Sequence, residues 1–407
     1  MKGTVYMIKI AILGMGVVGG GVADVIMKNK AALAAAAHDD IEIKYILDLR
    51  DFPGHPLADR VTRNFNTIVN DPSVSIVVET MGGSHPAYEY TIASLRAGKH
   101  VVTSNKEVVA NYGDEFLREA EAHGVHYLFE ASVGGGIPLI RPLTTSLSTE
   151  TISSIDGIVN GTTNYILTKM AVGGGSFEEA LAEAKRLGYA EADPSADIDG
   201  IDAQRKICIL TALITGHLLP TSAITTQSIR SITPADIVAA AKLGGAIKLI
   251  AHTDTKNGAI NVFATPCFVP YSSPLAHIKD VYNGILVSAS VSGDLMFYGQ
   301  GAGRYPTAGS IVADIVAIIR GTQNRIKPFE KASASEVLDP NLAIFSHFVT
   351  APQSMAKSVR QAFGIPTAKV ETDGVAAFIF PATPHGEAMR AASVLSKEAP
   401  ISLYRII

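Results

Sequence analysis

The run Met7–Leu13 (MIKIAIL) is short and apolar, and it stops at Gly14-Met-Gly16-Val-Val-Gly19, with Gly20 and Gly21 following. An apolar run of this length suits a strand buried on both faces of a parallel sheet. The glycine spacing is the dinucleotide-binding fingerprint. Its first glycine permits a tight turn, its second lets backbone approach a pyrophosphate, and its third allows a helix to lie close on the strand. Residues 17–37 then read as a helix whose first N–H groups would face the phosphates. A glycine triplet alone is weak evidence, but its place between a strand and a helix makes Gly14, Gly16, Val17, Val18 and Gly19 the expected cofactor contacts.

The alternation continues through residues 1–140. Strands are expected at 41–47, 75–80, 100–103 and 126–129, with helices at 86–97 and 113–123, which is the rhythm of a doubly wound Rossmann-type sheet. Asp48, after the second strand, can accept from ribose hydroxyls, whereas Arg50 can meet a 2′-phosphate, so NAD and NADP both stay open. Lys106 follows the 100–103 strand, and ligands of such sheets bind at carboxyl ends. Glu130 precedes Val133-Gly134-Gly135-Gly136-Ile137, where a carboxylate beside a glycine-rich turn can offer several oxygens to a hard cation; a plain turn explains the same residues.

Residues 141–306 change in texture. Strands at 152–160, 246–252, 259–269, 284–290 and 295–299 suggest a mostly antiparallel sheet, with helices at 201–217 and 234–243 packed on it, an α+β substrate and dimerisation domain. Residues 161–164 read as a tight polar turn, with a helix starting at Tyr165, and Ser176-Phe-Glu-Glu179 carries a capping-box signature. A second glycine-rich loop around Gly303 precedes helix 307–320, which is expected to return to the first domain. Residues 321–342 read as a linker, and 343–407 follow a βαββαβ order, that of a small ferredoxin-like domain.

The chemistry gathers in residues 188–206, GYAEADPSADIDGIDAQRK. Pro194 and Gly200 argue that 191–199 is loop, and from Ile201 the chain reads as a helix too apolar in its later turns for the surface. Asp202 and Lys206, one turn apart, share a face near its start. Taken alone, they are an ordinary ion pair on a helix end.

Composition excludes other classes. A chain of 407 residues has room for two or three domains, and 18% charged residues with a formal net charge of −4 offer no attraction to nucleic acid. Two cysteines, Cys208 and Cys267, cannot build a disulfide framework and fit a reducing cytoplasm. The N-terminus lacks a signal-peptide pattern and reads as part of the first strand. No uninterrupted apolar stretch reaches the roughly 18 residues of a membrane span.

The stretches GMGVVGGG, ETMGG, SNKEVVA, EASVGGGIPLI, GIVNGTTNYIL, GYAEADPSADIDGIDAQRK and GAGRYPTAGS, in this order, resemble the homoserine dehydrogenase family from about Ile8 to Arg320. That resemblance implies NAD(P)-dependent interconversion of L-homoserine and L-aspartate 4-semialdehyde, on the path to threonine and methionine. It implies that Lys206 is catalytic and that Lys106 is shared by cofactor and substrate. It further implies that Glu191 and Asp202 bind substrate, with Asp197 the nearest addition, and that Gly188 and Gly303 touch the cofactor. Glu130 with the carbonyls of Val133, Gly135 and Ile137 resembles the family's sodium site. A homodimer is implied as well. The tail resembles an ACT domain, but Ala351-Pro352-Gln353-Ser354 stands where an Asp-x-Pro-Gly turn is usual, which separates the fold from inherited threonine feedback.

Two rival readings make distinct predictions. Another semialdehyde dehydrogenase would need a thiolate nucleophile, and Cys208, inside an apolar helix, and Cys267, after a proline, are poorly placed for one. A non-catalytic NAD(P)- and amino-acid-sensing protein would have no evident use for Glu191, Asp202 and Lys206 around one small polar substrate.

Overall fold

The computed structural model describes residues 7–255, 258–322, 324–333, 335–372 and 374–407. Residues 1–6, which the sequence reading joined to the first strand, and parts of the 321–342 stretch lie outside them. In chain order the elements are β1 (Met7–Leu13), α1 (Val17–Lys28), α2 (Lys30–Ala37), β2 (Asp40–Leu47), β3 (Val61–Thr62), α3 (Phe65–Val69), β4 (Val74–Glu79), α4 (Ala87–Arg96), β5 (His100–Thr103), α5 (Lys106–Ala122), β6 (Tyr127–Leu128) and α6 (Ile140–Thr144). There follow β7 (Ile152–Ile158), α7 (Gly161–Gly173), α8 (Phe177–Arg186), α9 (Ser195–Ile198), α10 (Ile201–Thr215), β8 (His217–Leu218), β9 (Thr225–Thr226), α11 (Pro234–Lys242), β10 (Gly245–Asp254), β11 (Asn261–Pro270), β12 (Tyr282–Ala289) and β13 (Gly293–Gln300). The chain ends with α12 (Arg304–Arg320), β14 (Glu330–Lys331), β15 (Ile344–Pro352), α13 (Ala356–Phe363), β16 (Ala368–Thr372), β17 (Val375–Pro384), α14 (His385–Leu395) and β18 (Ser402–Ile406).

Two compact units divide the chain. The first comprises residues 1–151, 208–221 and 299–331. Its six strands run β3-β2-β1-β4-β5-β6, all parallel, so the doubly wound expectation holds. Ile10 and Ile12 of β1 lie in one core with Val22 and Ile26 of α1 and with Ala308, Ile311 and Ile315 of α12. Helix 307–320 therefore packs with the Rossmann sheet. The helix expected over 17–37 is broken at Asn29, whose N–H still bonds to Val25 O while its backbone leaves the helical region. The helix expected from Gly113 starts at Lys106 instead: the Asn105 side chain accepts from the N–H groups of Glu107 and Val108, and this cap outranks the glycine inside the helix. The nominal linker is partly ordered, since β14 pairs in parallel with β8.

The second unit, residues 152–207, 222–298 and 332–407, holds one sheet in the order β13-β12-β7-β10-β11-β18-β15-β17-β16. Its strands from β7 to β12 pair antiparallel where ladders are formed between β7, β10, β11 and β12, as expected. The last segment has the expected βαββαβ order, its strands arranged β18-β15-β17-β16 and antiparallel throughout, which is ferredoxin-like. Its edge strand β18 pairs in parallel with β11 through Cys267 with Arg405 and Phe268 with Ile406, so the tail extends the middle sheet. Arg405 secures this junction, donating to Thr265 Oγ1 at 3.0 Å and lying 4.4 Å from the Phe263 ring centroid.

Two local expectations fail in this unit. Residues 161–164 are the first turn of α7, with Gly161 required because a Cβ there would stand 2.7 Å from Val281 O. Within the expected loop 191–199, Ser195–Ile198 forms one helical turn, started by Pro194, whose fixed φ suits a helix start.

Candidate active site

The first unit carries the glycine turn. Gly14 turns at φ +93 and donates to Leu47 O at 2.8 Å. A Cβ on Gly16 would meet nothing within 4 Å, whereas one on Gly19 would lie 1.9 Å from Gly14 O. The second glycine thus leaves open space and the third closes the helix on the turn, which is what a bound pyrophosphate requires. Val17 is exposed at the start of α1, and Val18 packs on the core. Gly303, at φ +124, begins α12, and Arg304 crosses to Asp24 at 2.9 Å. A Cβ on Gly21 would stand 2.6 Å from Arg304 O, so the run of glycines in α1 admits the start of α12.

Asp48 has a different occupation from the one its position suggested. Its carboxylate accepts from Met15 N at 2.8 Å, Arg50 N at 3.0 Å, Arg50 Nε at 2.9 Å and Arg50 Nη2 at 2.9 Å. The Arg50 guanidinium holds this carboxyl well below the usual range. Asp48 therefore braces the glycine turn and presents Arg50, whose side chain is mostly exposed.

Lys106 is the first residue of α5, half-buried at the carboxyl end of β5. Its corner is rigid. Asn105 Nδ2 donates to Gly83 O at 2.8 Å, and the buried Glu79 accepts from Thr103 Oγ1 at 2.6 Å and Met81 N at 2.8 Å, tying the ETMGG turn to the SNKE turn. Burial pushes the Glu79 carboxyl up.

Glu130 is buried and caps α6: Oε1 accepts from Leu139 N at 2.6 Å and Ile140 N at 2.8 Å, and Oε2 from Arg141 N at 2.6 Å. Beside it, Asp314 accepts from Glu130 N at 3.1 Å and pairs with Arg141 at 2.5 Å. Burial, with the Glu130 charge adding to it, pushes the Asp314 carboxyl up to about 7. Gly134 and Gly135 lie at φ +77 and +56, and a Cβ on Gly134 would sit 3.3 Å from Ile137 O, so this tight turn needs glycine. Gly135 O accepts from Ser310 Oγ at 2.6 Å. Carboxylate and carbonyl oxygens are the ligand type that a hard monovalent ion takes. Among the described residues no group of three or more His, Cys, Asp or Glu could hold a metal ion.

The second unit holds the residues 188–206 that the sequence singles out. Lys206 Nζ lies 2.7 Å from Asp202 Oδ2 and 2.6 Å from Val159 O, and both side chains are buried. Asp197 joins them through Asn160, whose Nδ2 reaches Asp197 Oδ1 at 2.7 Å and Asp202 Oδ2 at 2.8 Å. The pair, which taken alone reads as an ordinary ion pair on a helix end, is thus part of a buried cluster. Glu191 is exposed. Gly188, at φ +77, ends the helix α8 and lies exposed in the loop ahead of Glu191. Asp193 and Asp199 are loop-shaping, the first bonded to Ser195 and the second to Ser228 and Arg230. Asn160 was missed by the sequence reading; an asparagine ahead of a helix signals a cap, but nothing local reveals carboxylates 37 and 42 residues away.

The dinucleotide turn and the buried lysine–carboxylate cluster mark an NAD(P)-dependent oxidoreductase. The comparisons with known proteins agree. Residues 14–130 match the model "Homoserine dehydrogenase, NAD binding domain" and residues 138–316 match "Homoserine dehydrogenase". Homoserine dehydrogenase of Synechocystis sp. is 43% identical over 322 residues, spanning 77% of this chain and 73% of that protein. The crystal structure of a homoserine dehydrogenase from Thiobacillus denitrificans superposes with a TM-score of 0.91 at 31% identity, covering 99% of each chain. A hyperthermophilic archaeal homoserine dehydrogenase in complex with NADPH gives a TM-score of 0.67 at 27% identity, over 78% of this chain and 99% of that one. The chain belongs to the homoserine dehydrogenase family. No helix among the described residues is long and apolar enough to cross a membrane.

Proposed function

We propose that this enzyme interconverts L-homoserine and L-aspartate 4-semialdehyde, on the path to threonine and methionine, and that Lys206 is its proton carrier. The observation that carries this reading is the buried Lys206–Asp202 pair with Asp197 one amide away. The substrate's α-ammonium needs carboxylates, and Asp202 and Asp197 supply them, with Glu191 closing from the exposed loop. The carbonyl oxygen gains negative charge during reduction, and Lys206 stabilises that charge and delivers the proton, directly or through a water. In oxidation the same lysine takes the hydroxyl proton. The nicotinamide supplies or takes the hydride. Gly14, Gly16, Val17, Val18, Gly19, Gly188 and Gly303 hold the cofactor, and Lys106 serves cofactor and substrate together.

NADP is the proposed cofactor. With four donors on Asp48, a ribose hydroxyl would have to displace one of them, whereas Arg50 is already oriented and exposed for a 2′-phosphate. A monovalent cation, sodium or potassium, is proposed at Glu130 with the carbonyls of Val133, Gly135 and Ile137. The enzyme is proposed to work in the cytoplasm as a homodimer through its mixed sheet, with no nucleic-acid or membrane partner. The deciding experiment is absorbance at the reduced-nicotinamide band with L-homoserine and NADP+ or NAD+ in turn. Turnover with NADP+ is expected; no turnover with either cofactor refutes the reading.

A further inference from the structure

Asn160 ends β7 and begins α7, and its side chain is divided between two tasks. Its Oδ1 accepts from Thr163 N at 2.9 Å and Thr163 Oγ1 at 3.0 Å, which starts the helix. Its amide nitrogen has two protons to give, and the two carboxylates in reach are Asp197 Oδ1 at 2.7 Å and Asp202 Oδ2 at 2.8 Å. The side chain is buried, so neither bond exchanges freely with water. Asp202 Oδ2 accepts from Lys206 Nζ as well, and the carbonyl of the preceding Val159 accepts from that same Nζ. The Val159–Asn160 peptide therefore holds both members of the lysine–aspartate pair.

The choice of a neutral donor has an electrostatic consequence. Two carboxylates close together repel each other and favour protonation. A lysine or arginine between them would cancel that repulsion, but it would also neutralise the charge that an incoming ammonium needs. An amide steadies both acids and leaves their charge in place.

We infer that Asn160 is the positioning residue of the substrate-binding carboxylates, a neutral fork that sets the spacing of Asp197 and Asp202 for an α-ammonium and, through Asp202, aims Lys206 at the reacting oxygen. The inference rests on the proposed homoserine reaction. It also gives the GIVNGTTNYIL stretch a chemical reason for its asparagine, beyond helix capping.

Two substitutions separate positioning from folding, because serine and aspartate are both good helix caps. Asn160→Ser keeps a cap and removes the fork; Asn160→Asp keeps the cap and shape and replaces two donors with a third negative charge. Full-length wild type and both variants are assayed for KM and kcat with L-homoserine, for NADP+ affinity by titration calorimetry, and for melting temperature. In both variants KM is expected to rise about tenfold or more and kcat/KM to fall on the order of 10²-fold, with NADP+ affinity unchanged. Wild-type KM and kcat in Asn160→Ser overturn the inference, and so does a loss of NADP+ affinity as large as the loss of homoserine affinity, which marks a folding defect. If wild type itself fails to turn over homoserine, the functional reading falls and takes the inference with it; active wild type with unaffected variants overturns the inference alone.

Discussion

Lys206 Nζ stands 2.7 Å from Asp202 Oδ2, one helical turn away on α10, with both side chains buried. A buried pair of this kind is a poor device for stability, because desolvation offsets most of the attraction. The lysine is held by an aspartate and a backbone carbonyl, both of them hydrogen-bond acceptors, so its ammonium is oriented, which the proposed proton transfer requires.

Replacing Lys206 by alanine should lower kcat by about 10²- to 10⁴-fold, the usual contribution of a positioned acid or base. NADP+ affinity should stay close to wild type, since the glycine turn belongs to the first unit and Lys206 to the second. Steady-state rates with L-homoserine, alongside a calorimetric titration of the cofactor, measure both, and near-normal turnover would sink the assignment.

Glu130→Gln keeps the shape of the carboxyl but loses its charge and one acceptor. Three backbone N–H groups depend on that carboxylate, so the variant should lose about 1–3 kcal/mol of stability. If a monovalent ion binds here, the sodium or potassium dependence of activity should weaken too. Rates measured across a chloride-salt series with the cation varied provide the check; an unaltered salt response removes the ion from this site.

Arg50→Gln should cut kcat/KM for NADP+ by at least about tenfold, the loss of one charge-assisted contact, while releasing Asp48 to accept from a ribose. The ratio of NADP+ to NAD+ specificity constants is the readout. An unchanged ratio means that Arg50 does not meet the 2′-phosphate.

His347 and His385 stack with ring centroids 5.3 Å apart and a 3.1 Å contact between Nε2 and Nδ1. Burial, followed by the charge of Arg405, lowers His347 to about 4 and His385 to about 3, with His347 adding to the latter. Below the ordinary value of 6.5 the unfolded chain takes up protons that the folded chain refuses, so stability falls as pH drops from about 6.5 toward 4. His252 works in the opposite sense. Burial alone would lower it, but Asp156 and Asp254 outweigh burial and raise it to about 9, so its contribution is complete below 6.5 and is lost as pH rises through 9. Melting temperatures between pH 4 and 7 should therefore decline toward acid, less steeply in His385→Gln, and an equal slope in that variant would exclude the histidine pair as the cause.

Cys208 and Cys267 are both buried, and burial pushes each thiol up to about 12. Neither supplies a thiolate near neutral pH. A variant with both cysteines replaced by alanine should retain turnover with homoserine; a folded, cofactor-binding variant that has lost all turnover would revive a thioester mechanism.

The parts of this molecule legible in the sequence are those specified by near neighbours. The glycine turn, the parallel strands and the Asp202–Lys206 spacing all follow from runs of a few residues. Where local signals competed, the reading slipped: it starts a helix at Gly113 although Asn105 already caps α5, and it makes Gly161 part of a turn although that glycine opens α7 beside a close carbonyl. Tertiary structure alone decided the rest. Asn160 reaches acids 37 and 42 residues onward, Asp48 is claimed by Arg50 and the glycine turn, and β18 extends the sheet by pairing with β11. Each depends on contacts between residues distant in the chain, and hydrogen-bond partners of that kind are set by how packed elements come together, which no local pattern encodes.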